Sequence, residues 1–200
     1  MNDPASAQTA LRRGLAARLA IPFEFDTRSL AVYRMGLGTL LVVDAALRSR
    51  DFRLMFAPDG IFPLDGVRRV LGDPAAWSLA FLVDATWWGG AVLALEATAG
   101  LLLALGWQTR VATILSWIAV VSVMRRTIPA TNAGDAWLAC QLFWAMFVPL
   151  GESWSLDALL RGGTSTRPRT VCSIGTAAVV LQLCAVYFGA GLAKCTPAWG

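Results

Sequence analysis

The sequence predicts an all-α membrane protein, a multi-pass bundle of about five transmembrane helices preceded by an N-terminal amphipathic helix. Of its 200 residues, 56% are hydrophobic and only 15% are charged, whereas roughly a quarter of the residues in a soluble domain are charged. The apolar residues fall in runs that approach the ~20 residues needed for a helix to cross a bilayer. Short polar segments separate these runs.

Five apolar runs are the candidate transmembrane helices. Their approximate bounds are 29–47, 87–105, 111–124, 132–150 and 171–193. Each run is predicted to be helical, because a backbone in hydrocarbon must satisfy its own hydrogen bonds and the runs lack the alternation of barrel strands. The longest connections outside the membrane are then expected at 49–75 and 151–169.

The first 21 residues form a separate segment in this prediction. They carry Arg12, Arg13 and Arg18 among three leucines at helical spacing, and they lack the long apolar core of a cleaved signal peptide. This pattern is typical of a short amphipathic helix that lies on the membrane surface. We therefore divide the chain into an amphipathic segment, 1–21, and one transmembrane domain, 22–200.

Composition narrows the classes of function. The net charge is only +4 and the basic residues are scattered over loops, so nucleic-acid binding is not indicated. The chain has no histidine, which removes the commonest general base and the usual nitrogen ligand of zinc, haem or copper. The four cysteines lack CxxC spacing. We interpret them as buried free thiols, with a disulfide or a metal site as the alternative, and predict no metal site.

Charged residues interrupt the apolar runs at three places. Arg34 and Asp44 lie in the first run, and Glu96 lies near the middle of the second. A charge at the bilayer centre costs at least ~2.5–3.5 kcal/mol, so each should face a partner or a wet cavity. We predict that Arg34 and Glu96 pair, or share a polar cluster with Gln141 or Gln182. A structural ion pair and a site that binds substrate or proton are both open interpretations.

Lys194 is the only lysine in a chain that otherwise uses arginine. It ends an apolar stretch, 187–193, that contains two glycines. Unlike arginine, a desolvated lysine can lose its proton and act as a base. The alternative is a lysine at a helix end that extends to the lipid headgroups.

A set of short motifs, taken together, resembles a known family. In chain order these motifs are Phe25-Asp26, Tyr33-Arg34, Asp44, Asp59-Gly60, Gly106-Trp107-Gln108-Thr109-Arg110, Asn132-Ala133-Gly134-Asp135, Pro149-Leu150-Gly151, Ser155-Leu156-Asp157, Tyr187-Phe188-Gly189-Ala190-Gly191-Leu192-Ala193-Lys194 and Trp199. The ordered set resembles the horizontally transferred transmembrane domain, which is the membrane domain of vitamin K-dependent gamma-glutamyl carboxylase and its bacterial relatives. The resemblance covers residues 22–200.

The resemblance implies a carboxylase-like (lyase) membrane enzyme that acts on a quinol or another lipid-soluble substrate. In the animal carboxylase, a lysine in the matching stretch acts as a base toward vitamin K hydroquinone, and Lys194 occupies that position here. A vitamin K-like quinol is therefore the implied cofactor, since no motif indicates a different one. The candidate site residues besides Lys194 are Arg34, Asp44, Glu96, Asp135 and Tyr187.

Relatives in this family continue through further helices beyond the position of Trp199, so we expect this chain to be truncated at its C-terminus, with a short, inactive member of the family as the alternative. The expected location is a bacterial cytoplasmic membrane, with the lipid bilayer as partner and a quinone or lipid as ligand. One alternative function is a non-catalytic membrane subunit or scaffold, whose polar residues only hold helices together. A small-solute transporter is the other, and the lack of an internal repeat disfavours it.

Overall fold

The computed structural model describes residues 20–72, 77–162 and 170–195. The protein is mostly helical, at 74%. The described helices are α1 (Thr27–Arg48), α2 (Phe52–Phe56), α3 (Leu64–Leu71), α4 (Thr86–Leu105), α5 (Thr109–Arg126), α6 (Ala133–Ala145), α7 (Leu156–Leu160) and α8 (Ile174–Lys194). Two short strands, β1 (Glu24–Asp26) and β2 (Thr170–Cys172), form a small sheet that the all-α prediction did not include. Most of the predicted amphipathic segment lies outside the described residues.

Three of these helices are long and apolar enough to cross a bilayer, namely α1, α4 and α8. They contain 22, 20 and 21 residues, with mean hydropathies of 1.6, 1.6 and 1.8. Helices of this length match the thickness of the hydrocarbon core. The described part of the chain therefore has three candidate membrane-spanning helices, which indicates a membrane protein.

The prediction of five spans is wrong, because the third and fourth apolar runs give unsuitable helices. α5 has only 18 residues, and they include Arg110, Arg125 and Arg126. α6 has 13 residues, which make ~20 Å of helix against a hydrocarbon core of ~30 Å. α6 ends early because Pro149 restricts the backbone of the residue before it and cannot donate the next helical hydrogen bond.

α1 and α4 pack antiparallel at close range because glycines lie at their contact. A Cβ atom on Gly38 would lie 2.5 Å from the backbone oxygen of Gly100, and one on Gly100 would lie 2.6 Å from Cβ of Leu41. Only glycine lets the two backbones approach this closely. The contact sets the register of the pair, with Leu41 opposite Gly100 and Arg34 opposite Gly106.

The other long helices follow in chain order across the bundle, since α4 packs on α5, α5 on α6, and α6 on α8. β1 pairs antiparallel with β2, with Phe25 opposite Val171. This pairing places the start of α8 beside the start of α1. α8 is loosely held, and only 6% of its apolar segment is buried. Its outer face is therefore available to lipid.

Candidate functional site

A group of charged side chains, the charged cluster of Asp44, Arg48, Glu96 and Asp135, lies where α1, α4 and α6 meet. Arg48 is the last residue of α1. Its Nε donates to Oδ2 of Asp44 at 2.7 Å, and its Nη2 donates to Oδ1 of Asp135 at 2.8 Å. Its Nη1 donates to Oγ1 of Thr127 at 3.2 Å. The planar guanidinium thus joins α1, α6 and the connection between α5 and α6.

Glu96 enters the charged cluster from α4. Its side chain is fully buried, with 0% exposed. The register of α1 against α4 places it level with Asp44, and the charges that act on its carboxyl group are those of Asp44, Arg48 and Asp135. Neither carboxyl oxygen forms a hydrogen bond with a described residue. Three carboxyl groups therefore surround one guanidinium group, an excess of acidic groups that is unfavourable in a dry interior.

Arg34 lies at the other end of α1 and is also fully buried. Its Nη2 donates to the backbone oxygen of Trp154 at 2.6 Å, and its guanidinium fills the space that a Cβ atom on Gly106 would need. α1 and α4 run antiparallel, and Arg34 packs against Gly106 just past the end of α4. Glu96, which lies earlier on α4, is therefore level with Asp44, which lies later on α1. The predicted Arg34–Glu96 ion pair is therefore not formed.

A cavity of about 710 Å³ opens between α1, α6 and α8, beside the charged cluster. Asp44 and Asp135 line it, and so do Tyr33 and Gln141, whose side chains are joined by a hydrogen bond from the Tyr33 hydroxyl to Oε1 of Gln141 at 2.5 Å. An apolar wall with a few convergent polar groups is typical of a small-molecule site. The apolar lining includes Leu37, Leu40, Val43, Leu47, Trp137, Leu138, Val179 and Leu183.

The two predicted site residues on α8 lie outside this cavity. Tyr187 is 73% exposed, and Lys194 is exposed in the last turn of α8. Of the six predicted site residues, the structure thus brings together three in the charged cluster, Asp44, Glu96 and Asp135. The role of Lys194 as a base stays a prediction.

Two residues make contacts that the sequence did not indicate, Arg48 in the charged cluster and Asp157 at the start of α5. Arg48 directly follows the first apolar run, 29–47, and its spacing of four residues from Asp44 places both on one helix face. Asp157 accepts hydrogen bonds from the backbone N–H groups of Gln108 and Thr109, both at 2.8 Å. No local signal links Asp157 to α5, because the contact spans 48 residues.

Asp157 joins two of the motifs that support the family resemblance. Burial acts to raise the pKa of Asp157, but the hydrogen bonds from Thr109 and Gln108 and the charge of Arg161 outweigh it, so this pKa lies below its ordinary value. The backbone N–H of Asp157 also donates to the carbonyl of Gly106 at 3.0 Å. These motif residues therefore hold the end of α4 and the start of α5 against α7.

The four cysteines are free and exposed, so the prediction of buried thiols is wrong. Cys184, for example, lies on α8, whose side chains mostly face outward. Among residues 20–72, 77–162 and 170–195, no group of three or more histidine, cysteine, aspartate or glutamate side chains is arranged to hold a metal ion.

No family model matches this chain, and neither a curated protein nor a solved structure matches it. The resemblance to the carboxylase membrane domain accordingly stays a prediction from the motifs.

Proposed function

We propose that this chain is an integral membrane protein whose cavity binds a lipid-soluble molecule with a polar head, most simply a quinol. The observation that carries this proposal is the cavity between α1, α6 and α8. Its polar groups include acceptors for a ligand hydroxyl in the carboxylates of Asp44 and Asp135. The hydrogen-bonded pair of Tyr33 and Gln141 provides a second point of polar contact, and the surrounding leucines suit an apolar ring or tail.

The position of the cavity supports entry from the lipid phase. Two of the three helices that line it, α1 and α8, are candidate spans. Val179 and Leu183 form the α8 wall, and α8 itself is only lightly buried. An apolar ligand diffusing in the bilayer therefore meets the cavity at a helix that few contacts hold in place.

A narrower form of this proposal is carboxylase-like chemistry with Lys194 as the base. Its support is the ordered set of motifs over 22–200, in which Lys194 matches the carboxylase lysine. A base must lie within hydrogen-bond reach of the proton that it takes. Since Lys194 is exposed at the end of α8, this chemistry requires the ligand head to bind near that end of the helix.

The second candidate function is a non-catalytic membrane subunit or scaffold. The observation that favours it is the bonding of Arg48, which already partners Asp44, Asp135 and Thr127. A network of this kind ties helices together without any ligand. The two candidates differ in one measurable property, because only the first requires the cavity to be occupied.

Gly36 provides a way to block the cavity. It lines the cavity, and a Cβ atom placed there meets no atom within 4 Å. Gly36→Leu should therefore fill the cavity without disturbing the packing of α1. Gly189→Leu is the matched control, because Gly189 also has open space around its Cβ position and lies outside the cavity on α8.

The test measures binding of a reduced short-chain benzoquinol to the protein in nanodiscs by isothermal titration calorimetry. We expect the wild type and Gly189→Leu to bind it with equal affinity and Gly36→Leu to bind at least tenfold more weakly. Equal binding by Gly36→Leu would exclude the cavity as the site. Failure of the wild type to bind either a benzoquinol or a naphthoquinol would reject the quinol proposal and favour a scaffold.

A further inference from the structure

We propose that the charged cluster is a proton-binding site, in which Glu96 and Asp44 share one proton and exchange it with the cavity through Asp44. The proton site follows from the arrangement of the described side chains alone. Only the exchange through the cavity rests on the function proposed above.

The hydrogen bonds of Arg48 go to residues other than Glu96. Its three nitrogens donate to Asp44, Thr127 and Asp135, while both oxygens of Glu96 lack a hydrogen-bond partner among the described residues. A fully buried carboxylate without a donor is among the least favourable states of a side chain. A proton on Glu96 removes its charge and supplies the missing donor toward the carboxylate of Asp44.

The charges around Glu96 favour the same state. The groups that face it are Asp44 and Arg48 from α1 and Asp135 from α6, and on the α5 side the neutral Thr127 contacts Arg48. Two neighbouring carboxyl groups, one of them fully buried, hold one proton between them, because both cannot be ionised without strong repulsion. The bound proton belongs to the pair of Glu96 and Asp44 and to neither residue alone.

Asp44 connects this proton to the outside. Its side chain is 26% exposed and lines the cavity, whereas Glu96 is 0% exposed. A proton donor in the cavity, water or a ligand hydroxyl, therefore reaches Asp44 first. The transfer breaks an O–H bond of the donor, which keeps the electron pair, and forms an O–H bond on the carboxyl pair. No oxidant or reductant takes part.

Infrared spectroscopy of the ligand-free protein in nanodiscs tests the proton site directly. We expect the wild type at neutral pH to show the carbonyl band of a protonated carboxyl group, with a shift in deuterium oxide. Glu96→Gln should remove this band, and Glu24→Gln, a change at an exposed residue of β1, should retain it. Absence of the band from the wild type, or its persistence in Glu96→Gln, would overturn the proposal.

Asp44→Asn provides a second test that does not need Glu96→Gln to fold. Loss of the partner carboxylate should leave the band present but move its frequency, and an unchanged band would contradict a shared proton. Exchange of the band in deuterium oxide tests the route, and Gly36→Leu should slow it at least tenfold. An unchanged exchange rate would exclude the cavity route. None of these measurements uses the quinol. A negative result would therefore reject the proton site or its route without bearing on quinol binding.

Discussion

Asp157 holds the first turn of α5 through Thr109, whose backbone N–H and hydroxyl both donate to Oδ2 of Asp157, at 2.8 and 2.7 Å. α5 has no cap of its own, since its cap residue Gln108 lies in the left-handed region, with φ of 44°, and makes no side-chain cap bond. Asp157 on α7 therefore provides the acceptor and the negative charge that a helix N-terminus favours.

Removal of this cap should destabilise the protein. We expect Asp157→Ala to lower the free energy of unfolding by about 1 kcal/mol, a typical loss for a helix cap. The measurement is the denaturation midpoint in a fixed detergent. Asp59→Ala, at an exposed residue in a turn, should leave the midpoint unchanged. Equal midpoints for the two variants would contradict a capping role for Asp157.

The contribution of Asp157 should depend on pH in a defined direction. The pKa of Asp157 in the folded protein lies below the ordinary value of 3.8, so the carboxylate stabilises the folded state above that value. This stabilisation is lost as the pH falls through the lower, folded-state pKa. The difference in stability between wild type and Asp157→Ala should therefore be constant from neutral pH to about pH 5 and shrink below 3.8. A difference that grows on acidification would refute this assignment.

Two glycines of α1 should respond to alanine in opposite ways. Gly38→Ala places a methyl group 2.5 Å from backbone atoms of α4, and overpacking of this kind costs typically ~1–3 kcal/mol. Gly36→Ala meets no atom within 4 Å and should be neutral or gain up to ~1 kcal/mol from helix propensity. Unfolding of both variants in the same detergent checks the contrast, and a loss of stability in Gly36→Ala as large as that in Gly38→Ala would contradict it.

Arg48 should be needed only while its carboxylate partners are present. Arg48→Met leaves Asp44 and Asp135 without their cation, and breaking a buried pair in this way costs about 3–5 kcal/mol. The triple variant Arg48→Met, Asp44→Leu and Asp135→Asn should recover much of that loss, because no stranded charge remains. Thermal unfolding of the two proteins gives the comparison. A triple variant less stable than Arg48→Met would show that the cluster contributes more than charge balance.

The arrangement of the spans predicts the sides of the membrane on which two exposed residues lie. In a background without native cysteines, Asp65→Cys on α3 and Leu160→Cys on α7 should react with an impermeant maleimide from opposite sides. Among the described residues, α4 is the candidate span that lies between these two positions in the chain. Labelling of both from one side would exclude α4 as a single separating span.

The apolar runs were sufficient to predict the helical class and the candidate spans α1, α4 and α8. The runs gave wrong predictions for α5 and α6. The third run, 111–124, left out the arginines at both ends of α5, and the fourth run continued past Ala145, where α6 ends. The number of membrane spans therefore depends on the positions of charged residues and proline, and it cannot be predicted from average hydrophobicity alone.

Individual residues of the site could be predicted from the sequence, but their arrangement in space could not. Asp44 and Glu96 stood out because charge is costly within an apolar run, yet the partner chosen for Glu96 was wrong. The close approach of Gly38 and Gly100 fixes the register of α1 against α4, and this contact becomes visible only when the helices are packed together. The pairing of β1 with β2 is likewise hidden, since each strand has three residues and the two lie far apart in the chain.

That pairing also orders events during biosynthesis. β1 directly precedes α1 and β2 precedes α8, so the N–H and C=O groups of Glu24–Asp26 that face β2 have no partners on that strand until the ribosome has made Thr170–Cys172. The cavity cannot close before α8 arrives, because Val179 and Leu183 form its third wall. A nascent chain thus lacks the third wall of this cavity until α8 has been inserted.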